Sequence, residues 1–126
     1  MTIGLWCVLI GILMPFLWTG VAKSIGRYDF RANRHPRDFL AALSGPAGRA
    51  NAAQLNSFEA FPAFAAAVLV AKYAHAEQHS IDMLAIAWVT LRLIYGVLYI
   101  MDFATLRSLV WFGSMACVVG LFVAAA

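Results

Sequence analysis

Apolar residues gather in long runs that short polar segments separate. The run 3–21 contains no charged residue, and a helix needs about 20 residues to cross the hydrocarbon core of a bilayer. A second run, 83–101, is interrupted by Arg92, and a third, 103–126, is interrupted near its start by Arg107. Each of the three runs is therefore predicted to form a membrane-spanning helix.

A further span, the second in chain order, is predicted over 47–71, although only its later part, 60–71, is free of polar residues. In chain order 83–101 is then the third span and 103–126 the fourth. The first part contains Arg49, Asn51, Gln54, Asn56 and Glu59. Polar groups at membrane depth are tolerated where they face protein or water and not lipid. This span is therefore expected to turn a polar face toward the inside of a helix bundle.

Six of the basic residues lie between the apolar runs 3–21 and 60–71, at Lys23, Arg27, Arg31, Arg34, Arg37 and Arg49. Loops rich in Lys and Arg remain on the cytoplasmic side of a membrane. The segment 22–46 is therefore predicted to be a cytoplasmic loop, and with four spans both termini lie on the non-cytoplasmic side. We expect one all-α, four-helix integral membrane domain over 1–126.

Composition supports the membrane assignment, because 63% of the residues are hydrophobic and 12% are charged, whereas a soluble domain has about 25% charged residues. The net charge of +3 does not indicate nucleic-acid binding, since no soluble basic face is available to carry it. Cys7 and Cys117 lie in apolar runs without a partner at metal-ligand spacing, so buried thiols and no metal site are expected. Nucleotide-binding and serine-hydrolase motifs are absent.

Two of the predicted spans carry a stripe of polar residues along one helix face. At positions i, i+7 and i+10, the second span has Arg49, Asn56 and Glu59. At positions i, i+3 and i+7, the third span has Arg92, Tyr95 and Tyr99. Because residues at these spacings share a face, both stripes are predicted to meet inside the bundle.

The two stripes reach a common depth. At about 1.5 Å per residue, Asn56, Glu59 and Arg92 lie roughly 13 to 18 Å below the loop-side surface. A charge at mid-membrane costs on the order of 2.5 to 3.5 kcal/mol, so Arg92 and Glu59 are predicted to form an ion pair. Two interpretations remain open: a purely structural pair, or a pair that also holds a ligand. Arg107, at the start of the fourth span, either reaches lipid headgroups or joins such a site.

The segment 49–62, RANAAQLNSFEAFP, resembles the second-helix signature of the MAPEG family, the membrane-associated proteins in eicosanoid and glutathione metabolism. That signature has Arg, Asn seven residues later, Glu three residues after that, and then an aromatic residue and Pro. The third-helix run 92–99 and the residues Thr105, Leu106, Arg107 and Ser108 also match the family in order. The resemblance covers nearly the whole chain.

The resemblance implies a homotrimer that binds glutathione as co-substrate between neighbouring subunits, near the cytoplasmic face. Asn56 and Glu59 match positions that bind the polar groups of the tripeptide, and the third-helix positions lining the same site are matched by Arg92, Tyr95 and Tyr99. Arg107 and Ser108 match the catalytic positions beside the sulfur. A thiol with a pKa of about 8.5 becomes a better nucleophile when a fixed cation stabilises its thiolate.

Two departures from the family pattern reduce the number of cations for the carboxylates of glutathione. Ala52 stands where several glutathione-using members have Arg, and the residues Met101, Asp102 and Phe103 replace a basic position before the fourth helix. Arg27 or Arg49 could take over the missing contacts.

Three functions follow as hypotheses. The first is a glutathione-dependent transferase or peroxidase acting on lipophilic electrophiles or hydroperoxides that arrive from the bilayer. The alternatives are a non-catalytic lipid-binding protein of the same fold and a small proton-coupled transporter that uses Glu59. Lipids, a lipophilic small molecule and other copies of the chain are the expected partners, and the resemblance suggests the inner membrane of a bacterium.

Overall fold

The computed structural model describes all residues 1–126, and every regular element in it is helical. In chain order the elements are α1 (Ile3–Ile25), a 3-10 turn (Ala32–Arg34), α2 (Pro36–Ala41), α3 (Gly45–Tyr73), α4 (Gln78–Ile100) and α5 (Ala104–Ala125). The four long helices, α1, α3, α4 and α5, are long and apolar enough to cross a membrane. The predicted fold class, an all-α membrane bundle with four spanning helices, is confirmed.

The bundle is held together along two extended helix pairs, α1 with α3 and α4 with α5, and α3 also contacts α4 and α5. The buried face of α3 is built largely from alanines, among them Ala53, Ala67 and Ala71. Such small side chains let helix backbones approach closely, which is how membrane helices associate without a hydrophobic driving force. Between α3 and α4, Phe64 stacks on Trp88 with ring centroids 3.8 Å apart.

The outer surface of the bundle carries large apolar side chains such as Trp6, Phe16, Leu109 and Phe112, all of them exposed. A soluble protein rarely leaves so much contiguous apolar surface uncovered. In a four-span protein these side chains contact lipid.

The segment 22–46, predicted as a loop, is partly folded. Pro36 occupies the first turn of α2, where its fixed φ angle suits a helix and its missing N–H is not needed. Leu40 of α2 packs against Ala22 and Ala50 in a small cluster of its own. The segment therefore covers the adjoining ends of α1 and α3. We call this side of the bundle the loop end.

At the opposite end, Asp82 ties α4 to the start of α1. Its Oδ1 accepts hydrogen bonds from the backbone N–H of Gly4 at 2.7 Å and from Nε2 of Gln78 at 2.8 Å. A carboxylate is well placed there, because the first N–H groups of a helix have no partner within it. The polar residues before the apolar run 83–101 are thus the first turns of α4, which begins at Gln78.

Candidate functional site

A chain of hydrogen bonds joins α4 to α3 and runs from the interior of the bundle to its surface. The side chain of Arg92 is completely buried, and its Nη2 donates to Oδ1 of Asn56 at 2.7 Å. Nδ2 of Asn56 donates in turn to Oε2 of Glu59 at 3.2 Å. We call these three side chains the polar relay.

The predicted ion pair between Arg92 and Glu59 is wrong, because Asn56 lies between the two charged groups. The one contact of 4.0 Å or less between a basic and an acidic side chain joins Nδ1 of His35 to Oδ2 of Asp38, in the segment 22–46. Glu59 is exposed on the outside of the bundle, whereas Arg92 is enclosed. Only a side chain with both a donor and an acceptor can link them, and an amide has both.

Arg92 retains unused hydrogen-bonding capacity. Its Nε and Nη1 have no hydrogen-bond partner, although both are buried. The guanidinium carbon lies 4.3 Å from the centroid of the Tyr95 ring, a cation–π contact that offsets part of the cost of burying the charge. The positive charge of Arg92 is consequently balanced only by a neutral amide, an aromatic ring and the more distant Glu59.

The aromatic side chains of α4 continue the site to the start of α5. The rings of Tyr95 and Tyr99 meet edge to face with centroids 5.7 Å apart. The guanidinium carbon of Arg107 lies 4.1 Å from the centroid of Tyr99. Both Tyr99 and Arg107 are half-buried. The structure therefore connects Arg92 to Arg107 through two tyrosines whose rings meet edge to face.

Ser108, the neighbour of Arg107, is exposed, and its Oγ donates to the carbonyl oxygen of Ala104 at 3.1 Å. This back-bond within α5 is the usual resting contact of a helical serine. The hydroxyl can rotate away from it, since a serine has one donor that is free to turn.

Arg49 makes a separate hydrogen bond at the loop end. Its Nε donates to the carbonyl oxygen of Ile100, the last residue of α4, at 3.0 Å. The last carbonyls of a helix have no partner within it and carry partial negative charge, so a cation stabilises them. This contact was not predicted from the sequence, because the two residues are far apart in the chain. Arg49 does not hydrogen-bond to the polar relay.

Gly96 places α4 against α1 beside the tyrosines. A Cβ atom at Gly96 would collide with the indole of Trp18, which is buried. The missing side chain therefore makes room for a large aromatic ring, and the close packing of Trp18 on α4 fixes the helix that carries Arg92, Tyr95 and Tyr99.

The outward side of the site is polar where the rest of the bundle surface is apolar. Glu59 is exposed and Asn56 is half-buried, both on a helix long and apolar enough to cross a membrane. A carboxylate cannot face lipid without a large cost, so this surface needs a polar ligand, water or another protein surface. No three His, Cys, Asp or Glu side chains come together in a way that could hold a metal ion.

Comparison with known proteins gives one family. The model of the MAPEG family matches residues 3–126, and the resemblance seen in the residues 49–62 and 92–108 is thereby confirmed. A comparison with curated proteins found no match.

Proposed function

The chain belongs to the MAPEG family, the membrane-associated proteins in eicosanoid and glutathione metabolism, and on that premise we propose that it is a glutathione-dependent transferase or peroxidase. Its substrates would be lipophilic electrophiles or hydroperoxides. The family is generally associated with glutathione, and the four spanning helices make this chain an integral, multi-pass membrane protein. A bacterial inner membrane is the location we propose, on the resemblance alone.

The polar relay carries this proposal. Glutathione has an ammonium group, two carboxylates and a thiol, so a site for it needs both signs of charge. The exposed carboxylate of Glu59 suits the ammonium group, and Asn56 offers an amide beside it. Behind them, Arg92 supplies a positive charge with two unpartnered nitrogens, Nε and Nη1. We assign Glu59 and Asn56 as direct contacts and Arg92 as the residue that orients them.

Arg107 is the residue we assign to the sulfur. Bound glutathione supplies a thiol that acts as nucleophile or reductant. Arg107 is half-buried against the Tyr99 ring, and an arginine keeps its charge even in a partly dry site. A fixed positive charge lowers the pKa of a neighbouring thiol. The hydroxyl of Ser108 can add a hydrogen bond to the thiolate.

A homotrimer is part of the proposal, because it would cover the polar outer surface at Glu59 with a second copy of the chain and enclose the ligand between subunits. Ala52, half-buried on α3, supplies no cation for the carboxylates of glutathione. Arg49 and Arg27 are the basic residues we assign to this task. Arg27 is exposed. Arg49 uses only its Nε for the hydrogen bond to Ile100, so its Nη groups can donate to a carboxylate.

The test is the ultraviolet absorbance of the thiolate at saturating glutathione. Wild-type protein should show the thiolate signal near neutral pH, and Arg107→Ala should lose most of it. Arg107→Lys keeps the charge and should retain part of the signal, whereas Arg31→Ala, which removes a cation outside the site, should leave the signal unchanged. A full thiolate signal in Arg107→Ala with glutathione bound would contradict the role of Arg107.

A second function has one observation in its favour. The absence of a cation at Ala52 and in the turn formed by Met101, Asp102 and Phe103 is compatible with a non-catalytic, lipid-binding member of the fold. Such a protein would not form a thiolate under any of these conditions, so the same absorbance measurement separates the two functions.

A further inference from the structure

Arg107 lies at a point of its own helix that does not favour a cation. It is close to the N-terminus of α5, which begins at Ala104. The first turn of a helix carries partial positive charge, so a basic side chain is less stable there than in the last turn. Arg107 therefore requires an attraction from another part of the protein to keep one position.

No carboxylate provides this attraction. Within the chain, only His35 and Asp38 bring a basic and an acidic side chain within 4.0 Å of each other. Asp102, the acidic residue nearest to Arg107 in the sequence, is exposed and is not paired with it. The positive charge of Arg107 is therefore not balanced by an acidic neighbour.

An aromatic ring takes the place of a carboxylate. The guanidinium carbon of Arg107 lies 4.1 Å from the centroid of the Tyr99 ring, inside the distance of about 6 Å at which a ring face attracts a cation. The attraction comes from the quadrupole of the ring, which has no net charge. Tyr99 can thus hold the guanidinium without neutralising it, whereas a carboxylate in the same place would compete with a thiolate for that charge.

The position of Tyr99 is fixed from the interior of the bundle. Its ring meets the ring of Tyr95 edge to face, with centroids 5.7 Å apart, which is a favoured geometry for two aromatic rings. Tyr95 is buried, and its own ring lies against the guanidinium of Arg92. Tyr99 therefore links a fixed side chain of α4 to the start of α5.

We propose that Tyr99 is a positioning residue, whose ring face holds Arg107 beside the sulfur of bound glutathione and leaves the charge of Arg107 available to the thiolate. This inference rests on the proposed function and deepens it. It assigns the effect of Tyr99 to the ring and not to the hydroxyl group, so phenylalanine can replace it.

The experiment follows the ultraviolet absorbance of the thiolate against pH at saturating glutathione. Tyr99→Phe keeps the ring face and should titrate as the wild type does. Tyr99→Leu removes the ring, so its titration midpoint should move upward by about 0.5 to 1.5 pH units, the range that corresponds to one cation–π contact. The midpoint rises because a less well positioned Arg107 stabilises the thiolate less.

Three further variants separate positioning from a general loss of structure. Tyr73→Leu, which changes an exposed tyrosine at the end opposite the loop end, should leave the midpoint unchanged. Tyr99→Met fills the space with a flexible apolar side chain and should shift the midpoint as Tyr99→Leu does, so it serves as the test if Tyr99→Leu does not fold. Adding Tyr99→Leu to Arg107→Ala should cause no further shift, because two residues that act through one contact are not additive.

Three results would overturn the role of Tyr99 alone. Equal shifts in Tyr99→Phe and Tyr99→Leu would mean that the hydroxyl group acts on the sulfur directly. An unchanged midpoint in folded Tyr99→Leu or Tyr99→Met would mean that Arg107 keeps its position without the ring. Additive shifts in the double variant would mean that Tyr99 acts independently of Arg107. A wild-type protein that forms no thiolate with glutathione would contradict the proposed function, and the inference with it.

Discussion

Asn56 is the residue on which the site depends most. Its oxygen accepts from Arg92 while its nitrogen donates to Glu59. Because arginine can only donate and an ionised carboxylate can only accept, the two neighbours fix the orientation of the amide between them. The sequence placed the three groups at a common depth, but not the order in which they touch. That order depends on which side chain points inward, which helical spacing does not determine.

Replacement of Asn56 by Ala should destabilise the protein by about 1.5 to 3 kcal/mol, the contribution of a hydrogen bond to a charged group. The reason is that Arg92 would remain buried without a hydrogen-bond partner. Thermal unfolding followed by circular dichroism in mild detergent measures the effect. The control is Asn51→Ala on the same helix, where the side chain takes no part in the relay. Equal melting temperatures for the two variants would mean that the relay contributes nothing to stability.

At the scale of the elements, the apolar runs located the spanning helices, because a helix that crosses a bilayer must be apolar along most of its length. They did not show where the helices end. α1 continues past its run to Ile25, and α4 starts at Gln78. In the first turns of α4, Asp82 accepts a hydrogen bond from the backbone N–H of Gly4 in α1. The short α2 was not predicted either, because six residues that begin with a proline are too few to show a helical periodicity.

The packing of α1 on α4 gives a prediction for Gly96. Gly96→Ala should destabilise the bundle by about 1 to 3 kcal/mol, as overpacking does, because the added methyl group would overlap the Trp18 indole. Gly20→Ala in α1, where no atom lies within 4 Å of the new Cβ, should leave the melting temperature unchanged or slightly higher. The double variant Gly96→Ala/Trp18→Phe should recover part of the loss. A fully stable Gly96→Ala protein would show that this helix contact is not tight.

For the whole molecule, the sequence predicted the fold and the family. It predicted the chemistry of the site only in part. The family was identified by a combination of residues: Arg49, Asn56 and Glu59 in the second span, together with Arg92 and the motif residues that follow it in the chain. The loop-end contact from Arg49 to Ile100 and the unpartnered groups of Arg92 appear only in three dimensions. They depend on how three helices pack, which no single-helix pattern contains. The exposed Glu59 supports the proposed homotrimer, in which a second copy of the chain would cover it.

A calorimetric titration of the purified protein with glutathione tests directly whether Glu59 belongs to a glutathione site. The wild type should bind saturably at millimolar or lower concentration, and Glu59→Gln should bind about tenfold or more weakly, because a charge-assisted contact to the ammonium group is lost. Glu59→Gln keeps an oxygen for Asn56 and should therefore fold normally. Glu77→Gln, a matched change at the exposed end opposite the loop end, should bind as the wild type does. Wild-type protein that does not bind glutathione, or equal affinities for wild type and Glu59→Gln, would contradict the assignment of this site.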